Sequence, residues 1–242
     1  MGKPNAQMVS VGKPHGDGGR YAGGAWYGIV GEATPPTDAT TTLSDKFHDL
    51  GYLSEDGVTN TVDRDSEDIN AFGGDRVLSV TTSRAESFQF GMLETTPETL
   101  AVTYGPDNVE TKTVNGKDSI TVKHNSAEPP ELVYVFEFAM TGNRVKRIVV
   151  PVGKTGDVDD VTYADGEAIT YTPTINAFPD ANGNTAYEYI AYVTGVETTA
   201  DVAGDEPAAM SDAEVPTLAK AAVKATTKRK ATATKTTAVK TA

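Results

Sequence analysis

Cysteine is absent from the 242 residues, which excludes a disulfide framework, Cys-based zinc sites and thiol catalysis together. That fits synthesis in a reducing cytoplasm. Long apolar runs are missing too: nothing approaches the roughly 18 to 20 residues of a transmembrane helix. The start, Met1 to Val9, holds no apolar core of signal-peptide length. Gly2 does not make a myristoylation site, because Ala6 stands where Ser or Thr is needed. The expectation is a soluble product with no membrane partner. Tryptophan occurs once and histidine three times. One Trp and seven Phe give little with which to line the aromatic cleft of a β-sandwich glycosidase.

Acids are missing from one region only. From Pro216 to the end there is none, against seven bases: Lys220, Lys224, Lys228, Arg229, Lys230, Lys235 and Lys240. The whole chain has 21 bases and 34 acids, so the body before Pro216 carries 14 against 34, a formal charge of −20. An acidic body joined to a basic tail is two electrostatic objects on one chain. The body repels nucleic acid. The tail either docks on the acidic body of a neighbouring copy or meets phosphate in a sequence-blind, salt-sensitive way.

What is present reads as β structure. Residues 1–25 are Gly-rich and polar and read as a flexible arm. Trp26–Val30 is the first strand, and a long polar stretch, Glu32 to Asp49, follows it. Phe88, Phe90 and Met92 alternate with Ser87, Gln89 and Gly91. Leu132, Tyr134, Phe136, Phe138 and Met140 share one face, Glu131, Val133, Val135 and Glu137 the other. Thr141-Gly142-Asn143 then turns the chain into Arg144–Val150, a hairpin signature. Ile169, Tyr171 and Ile175 mark another strand, and Asn182-Gly183 reads as a hairpin turn before Tyr187–Val193. One short helix, about 96–104, starts at Thr95-Thr96-Pro97-Glu98, with a capping hydroxyl, a first-turn proline and an acid at the positive end of the dipole. Gly105-Pro106 stops it. The expected fold is mainly β: an antiparallel sandwich or partly closed barrel over 26–197 with one flanking helix. Residues 198–242, an acidic linker and then the Lys/Ala/Thr-rich tail, lack the aromatics to pay for order by burial.

No chemistry emerges. Asp63, Asp65 and Glu67 fit the first three ligand positions of a calcium loop. Asp68 and Gly74 then occupy the places that need glycine and glutamate, so the motif fails and a solvated acidic loop is expected. Asp180-Ala181-Asn182-Gly183-Asn184 offers spaced oxygens, but as a turn. Glu67-Asp68 and Asp159-Asp160 carry no specificity among 34 acids. His15, His48 and His124 lie in separate segments with no i,i+4 pair, and no Ser sits in a Gly-x-Ser-x-Gly elbow. No enzyme activity, catalytic residue, cofactor or metal is expected.

The stretch from Phe47-His48-Asp49-Leu50-Gly51-Tyr52 to Gly57-Val58 resembles a segment of the major tail proteins of siphophages. The similarity continues through Asp68-Ile69-Asn70-Ala71-Phe72-Gly73-Gly74-Asp75, Ser87-Phe88-Gln89-Phe90, Glu94, Leu100 and Tyr104-Gly105. The resemblance implies a virion structural protein: a β-sandwich forming six-membered rings that stack into a hollow tail tube. Adjacent sheets would join into one inner barrel, and DNA would pass through the lumen only at ejection. It implies partners in tail tip, tape measure and tail terminator proteins, with synthesis in the host bacterial cytoplasm. By this analogy Glu32–Asp49 and the arm 1–25 are the candidates for ring-to-ring contacts. The alternatives are an immunoglobulin-like surface adhesion module, a capsid decoration protein or a tail terminator ring.

Overall fold

Alternation along Glu131–Met140 decides the architecture, because both of its faces are buried. The computed structural model describes residues 9–15 and 23–193. Eleven strands are present among them: β1 (Gly12–Pro14), β2 (Ala25–Ile29), β3 (His48–Asp49), β4 (Leu53–Asn70), β5 (Arg76–Met92), β6 (Val109–Val114), β7 (Lys117–Val122), β8 (Glu131–Met140), β9 (Arg144–Val158), β10 (Pro173–Ala177) and β11 (Tyr187–Tyr192). Nine form one open sheet in the order β3-β2-β8-β9-β10-β5-β4, with β1 beside β8 and β11 beside β9; β6 and β7 form a separate hairpin. Every pairing between these strands is antiparallel.

The sheet folds over its own apolar face. Leu132, Tyr134 and Phe136 from β8 meet Phe88, Phe90 and Met92 from β5, with Ile148, Val150 and Ile175 between them. Phe136 stacks on Phe88 at 5.8 Å and meets Phe90 edge-on at 5.1 Å. The opposite face of β8 and β9 is covered as well. There Trp26, Val135 and Val149 pack under Leu43 and Phe47 from the long polar stretch and Tyr187 and Tyr189 from β11. Double coverage explains why Val133 and Val135 fall on the face away from the main core yet remain apolar. Pro151 sits where the β8–β9 register shifts, the place in a central strand where a residue with no N–H is tolerated.

The helix α1 runs Pro97–Tyr104, and Thr96 caps it reciprocally with Thr99. Leu100, Ala101 and Val102 bury against the core. Thr155 Oγ1 donates to the Val102 carbonyl at 2.9 Å and lies 3.3 Å from the Tyr134 hydroxyl. This joins helix and sheet by a buried polar link.

The sandwich with one short flanking helix is therefore as expected, and its sheet is not closed into a barrel. Other details differ. The expected solvated acidic loop at Asp63–Asp68 is instead part of the 18-residue strand β4. Asn182-Gly183 is a turn but not a hairpin turn: β10 and β11 both pair with β9, at its two ends, and not with each other. The strand expected from Ile169 begins at Pro173, while Tyr171 makes a single bridge to Met92. Within 1–25, Gly12–Pro14 lie as a strand against Phe138–Met140. The expected acidic linker and basic tail, 198–242, fall outside the described residues.

Candidate assembly surfaces

Most of the acids and histidines considered for chemistry are engaged separately. Cross-strand pairing sets Asp63, Asp65 and Glu67 on one face of β4 and Asp68 on the other. The Ser83 hydroxyl donates to Asp65 and the Arg76 guanidinium to Asp68. Asp180 accepts the N–H groups of Asn182 and Asn184 and the Tyr187 hydroxyl. The hydrogen bond from Tyr187, first, holds its carboxyl below the usual range. Asp159 accepts from the Gln89 amide. The His48 ring stacks on Tyr27, and the His124 ring lies tilted against Tyr104. Among the described residues no group of three or more His, Asp or Glu is placed to hold a metal.

The third histidine belongs to a buried charge cluster on the covered outer face. Glu137 and Arg147, directly opposite on β8 and β9, are both buried. Arg147 Nε donates to Glu137 Oε1 at 2.7 Å, and Arg147 Nη1 donates to the Asp38 carbonyl at 2.9 Å. His15 Nδ1 lies 3.2 Å from Glu137 Oε2, and the His15 N–H donates to the Glu137 carbonyl at 3.0 Å. The cluster thus ties β1 and the polar stretch 32–49 to the sheet. Asp38 shapes that stretch. Its carboxylate accepts the Thr41 hydroxyl and the Thr41 and Thr40 N–H groups, which hold it well below the ordinary carboxylate range. Residues 32–49 are packed on the body, with Ala33 and Ala39 buried.

The surfaces left open are sheet edges and one long hairpin. β4 ends the sheet and, among the described residues, pairs only with β5, which leaves its outer edge unpaired there. From Val58 to Asn60 its partners are Phe90 to Phe88, still in the core; Thr61 and Val62 face the half-buried Ser87 and Glu86, and from Asp63 on both strands are exposed. The eight residues from Asp63 to Asn70 extend about 26 Å at 3.3 Å each. At the tip, Gly73 and Gly74 take φ of 113° and 98°, the left-handed region that glycine enters without strain. Ala71 N–H closes the turn on the Asp75 carbonyl at 2.7 Å. Phe72 is fully exposed there, and Ile69, Val77, Leu78 and Val80 are exposed beside it. Ile69 pairs with Leu78, and Glu67 with Val80, so Ile69, Leu78 and Val80 share one face, while Val77 lies at the register shift next to the turn.

The nine-strand sheet is open and ends on an unpaired strand edge among the described residues. The model of the family described as "Phage tail tube protein" matches residues 23–203. The chain belongs to the phage tail tube protein family. None of the curated proteins matches it significantly. Among solved structures, a chain of the anti-feeding prophage cap (the AFP tube terminating cap) is similar at 10% identity and a TM-score of 0.35, covering 67% of this chain and 95% of that one. That likeness is too remote to carry an argument. As a tail tube protein the chain is a virion structural protein.

Those surfaces were only partly visible in the sequence. The hairpin was missed because β4 has no apolar face to betray it: Asp63, Asp65 and Glu67 line one side and Arg64, Ser66 and Asp68 the other. The available signal was Gly73-Gly74 between Ile69 and the alternating Leu78 and Val80, a turn flanked by strand-forming residues.

Proposed function

We propose that six copies of this chain close into a ring, that rings stack into the tail tube, and that the genome passes through its lumen at ejection. The observation that carries this reading is the bare edge of β4. A long edge of unpaired N–H and C=O groups is costly to leave open in a soluble protein. Pairing it with a different edge of the next copy's sheet satisfies the groups that the partner strand reaches. Such a contact uses two different surfaces, and a heterologous contact closes into a ring when the rotation allows. Family membership supports the tube.

The body's charge of −20 suits a channel for DNA, because like charge denies phosphates a place to stick. The seven bases after Pro216 supply counter-charge to a neighbouring body. Tail tip, tape measure and tail terminator proteins complete the set of partners.

Sedimentation of the full chain over rising concentration tests the ring. A species of six copies of the 25.5 kDa chain is expected, favoured by salt that screens the acidic bodies. A chain that stays monomeric at every concentration and salt level contradicts the reading.

A further inference from the structure

We infer that Asn115 is a site of spontaneous deamidation: the backbone nitrogen of Gly116 displaces the side-chain amide of Asn115, and water opens the ring that results. The site lies in the β6–β7 turn and depends on neither ring nor tube.

The bonds fix the chemistry. The Gly116 nitrogen attacks the side-chain carbonyl carbon of Asn115, Cγ. An N–Cγ bond forms, the Cγ–Nδ2 bond breaks, and Nδ2 leaves as ammonia with the proton that Gly116 gives up. Water then adds to one of the two carbonyls of the five-membered succinimide. Opening gives aspartate, or isoaspartate with the main chain routed through the side-chain carbon. Water is the co-reactant, and no electrons are exchanged.

Attack requires a nitrogen without a hydrogen bond, an amide able to turn towards it, and a peptide unit able to swing. Among the described residues neither the Gly116 N–H nor the Asn115 side-chain amide has a hydrogen-bond partner. A side chain added at Gly116 would meet nothing within 4 Å, so the peptide moves in open space. Asn115 and Gly116 hold φ of 53° and 74°, and a residue with a Cβ loses little by leaving that region. The hairpin resists weakly as well. β6 and β7 form a sheet of two strands, residues 111–121 are exposed, and Val109 and Val122 pack against the core at the root. A two-stranded ribbon in water opens readily at its tip.

The chain has a second Asn-Gly pair, which serves as an internal control. Asn182 and Gly183 are exposed too, yet Asp180 ties them down. The Gly183 N–H donates to the Asp180 carbonyl at 2.9 Å. The Asn182 N–H donates to Asp180 Oδ1 at 2.8 Å, and its side-chain amide donates to Asp180 Oδ2 at 3.3 Å and to the Tyr187 hydroxyl at 3.4 Å. The attacking nitrogen is occupied there and the amide is held. The Asp180 carboxylate also opposes loss of the Gly183 proton, because it sets a negative charge beside the nitrogen. At the hairpin, Lys117 follows the turn, and Asp118 accepts the Thr113 hydroxyl at 2.7 Å. Either product at position 115 adds a negative charge to a body of −20. Isoaspartate also lengthens the main chain in a two-residue turn whose geometry sets the register of β6 on β7.

Peptide mapping by fragmentation mass spectrometry tests this on the full chain, aged in mildly alkaline water enriched in heavy oxygen. Conversion at position 115 is expected to run about tenfold or more faster than at 182, the equivalent of about 1.4 kcal/mol of extra opening cost at the second site. Isoaspartate is expected among the products. In urea both pairs are the same dipeptide in an open chain, and their rates are expected to converge. Asp180→Ala is expected to bring position 182 towards the rate at 115 in the folded protein. Equal rates in the folded wild-type chain, or aspartate without isoaspartate, overturn the assignment. So does a difference that persists in urea, because neighbouring sequence and not the fold would then set it. A slow rate at 182 in Asp180→Ala overturns the protection assigned to Asp180.

Discussion

Arg147→Ala lowers the stability of the folded body by about 3 to 5 kcal/mol, the usual cost of removing one partner from a buried ion pair. The guanidinium is almost wholly out of water, and Glu137 opposite it is nearly so. Arg147 also satisfies the Asp38 carbonyl. The substitution strands a buried carboxylate and an unpaired carbonyl and leaves a cavity between them. His15 remains beside Glu137 but is a single partner at 3.2 Å and cannot replace a fork of donors. Urea unfolding followed by tryptophan fluorescence measures this directly, because Trp26 sits in the same covered face. The double variant Arg147→Met, Glu137→Leu is expected to recover most of the loss, since it removes both charges and keeps the volume. A loss below about 1 kcal/mol for Arg147→Ala would mean that water reaches the cluster and that it does not hold residues 32–49 in place.

Phe136→Ala costs a similar amount, about 3 to 5 kcal/mol, for a different reason. Its ring has no exposure and touches both Phe88 and Phe90, so it joins the two halves of the folded sheet. Truncation leaves a cavity walled by aromatic rings that are themselves pinned on β5 and cannot collapse into it. Phe72→Ala is the matched control. That ring is fully exposed in the single subunit, so its loss changes the stability by no more than about 0.5 kcal/mol. If Phe136→Ala unfolds at the wild-type midpoint, the core is not where the structure places it. If Phe72→Ala destabilises the isolated subunit, the hairpin packs on its own body and does not project.

The parts of this fold that were legible in the sequence are those where a burial pattern and a turn signal coincide. β8 and β9 show both: alternating large apolar residues on each strand, joined at Thr141-Gly142-Asn143. The helix was legible from its ends, Thr96-Pro97 and Gly105-Pro106, although its eight residues are too few to show a clear stripe. Illegible elements obey a different physics. β4 is a strand because β5 supplies its hydrogen bonds, not because a core demands alternation, so beyond Asn60 no apolar period is written into it. β6 and β7, with their Asn115-Gly116 turn at φ 53° and 74°, are exposed for the same reason and carry as little signal. Asn182-Gly183 misled through the opposite fault. The dipeptide makes the same turn in either setting, and only the length of β9, which has room for β10 and β11 on one edge, prevents a hairpin. For the assembly surfaces, sequence favoured the polar stretch 32–49 and the arm. In the structure Arg147 holds the Asp38 carbonyl within 32–49, and exposed apolar residues on the hairpin, Phe72 among them, add a surface that the sequence did not single out.

Electron microscopy of the purified full chain at high concentration tests the central claim most directly. The account predicts hollow tubes with six-fold symmetry in cross-section. Solid or flat fibres, or a different rotational symmetry, would contradict it.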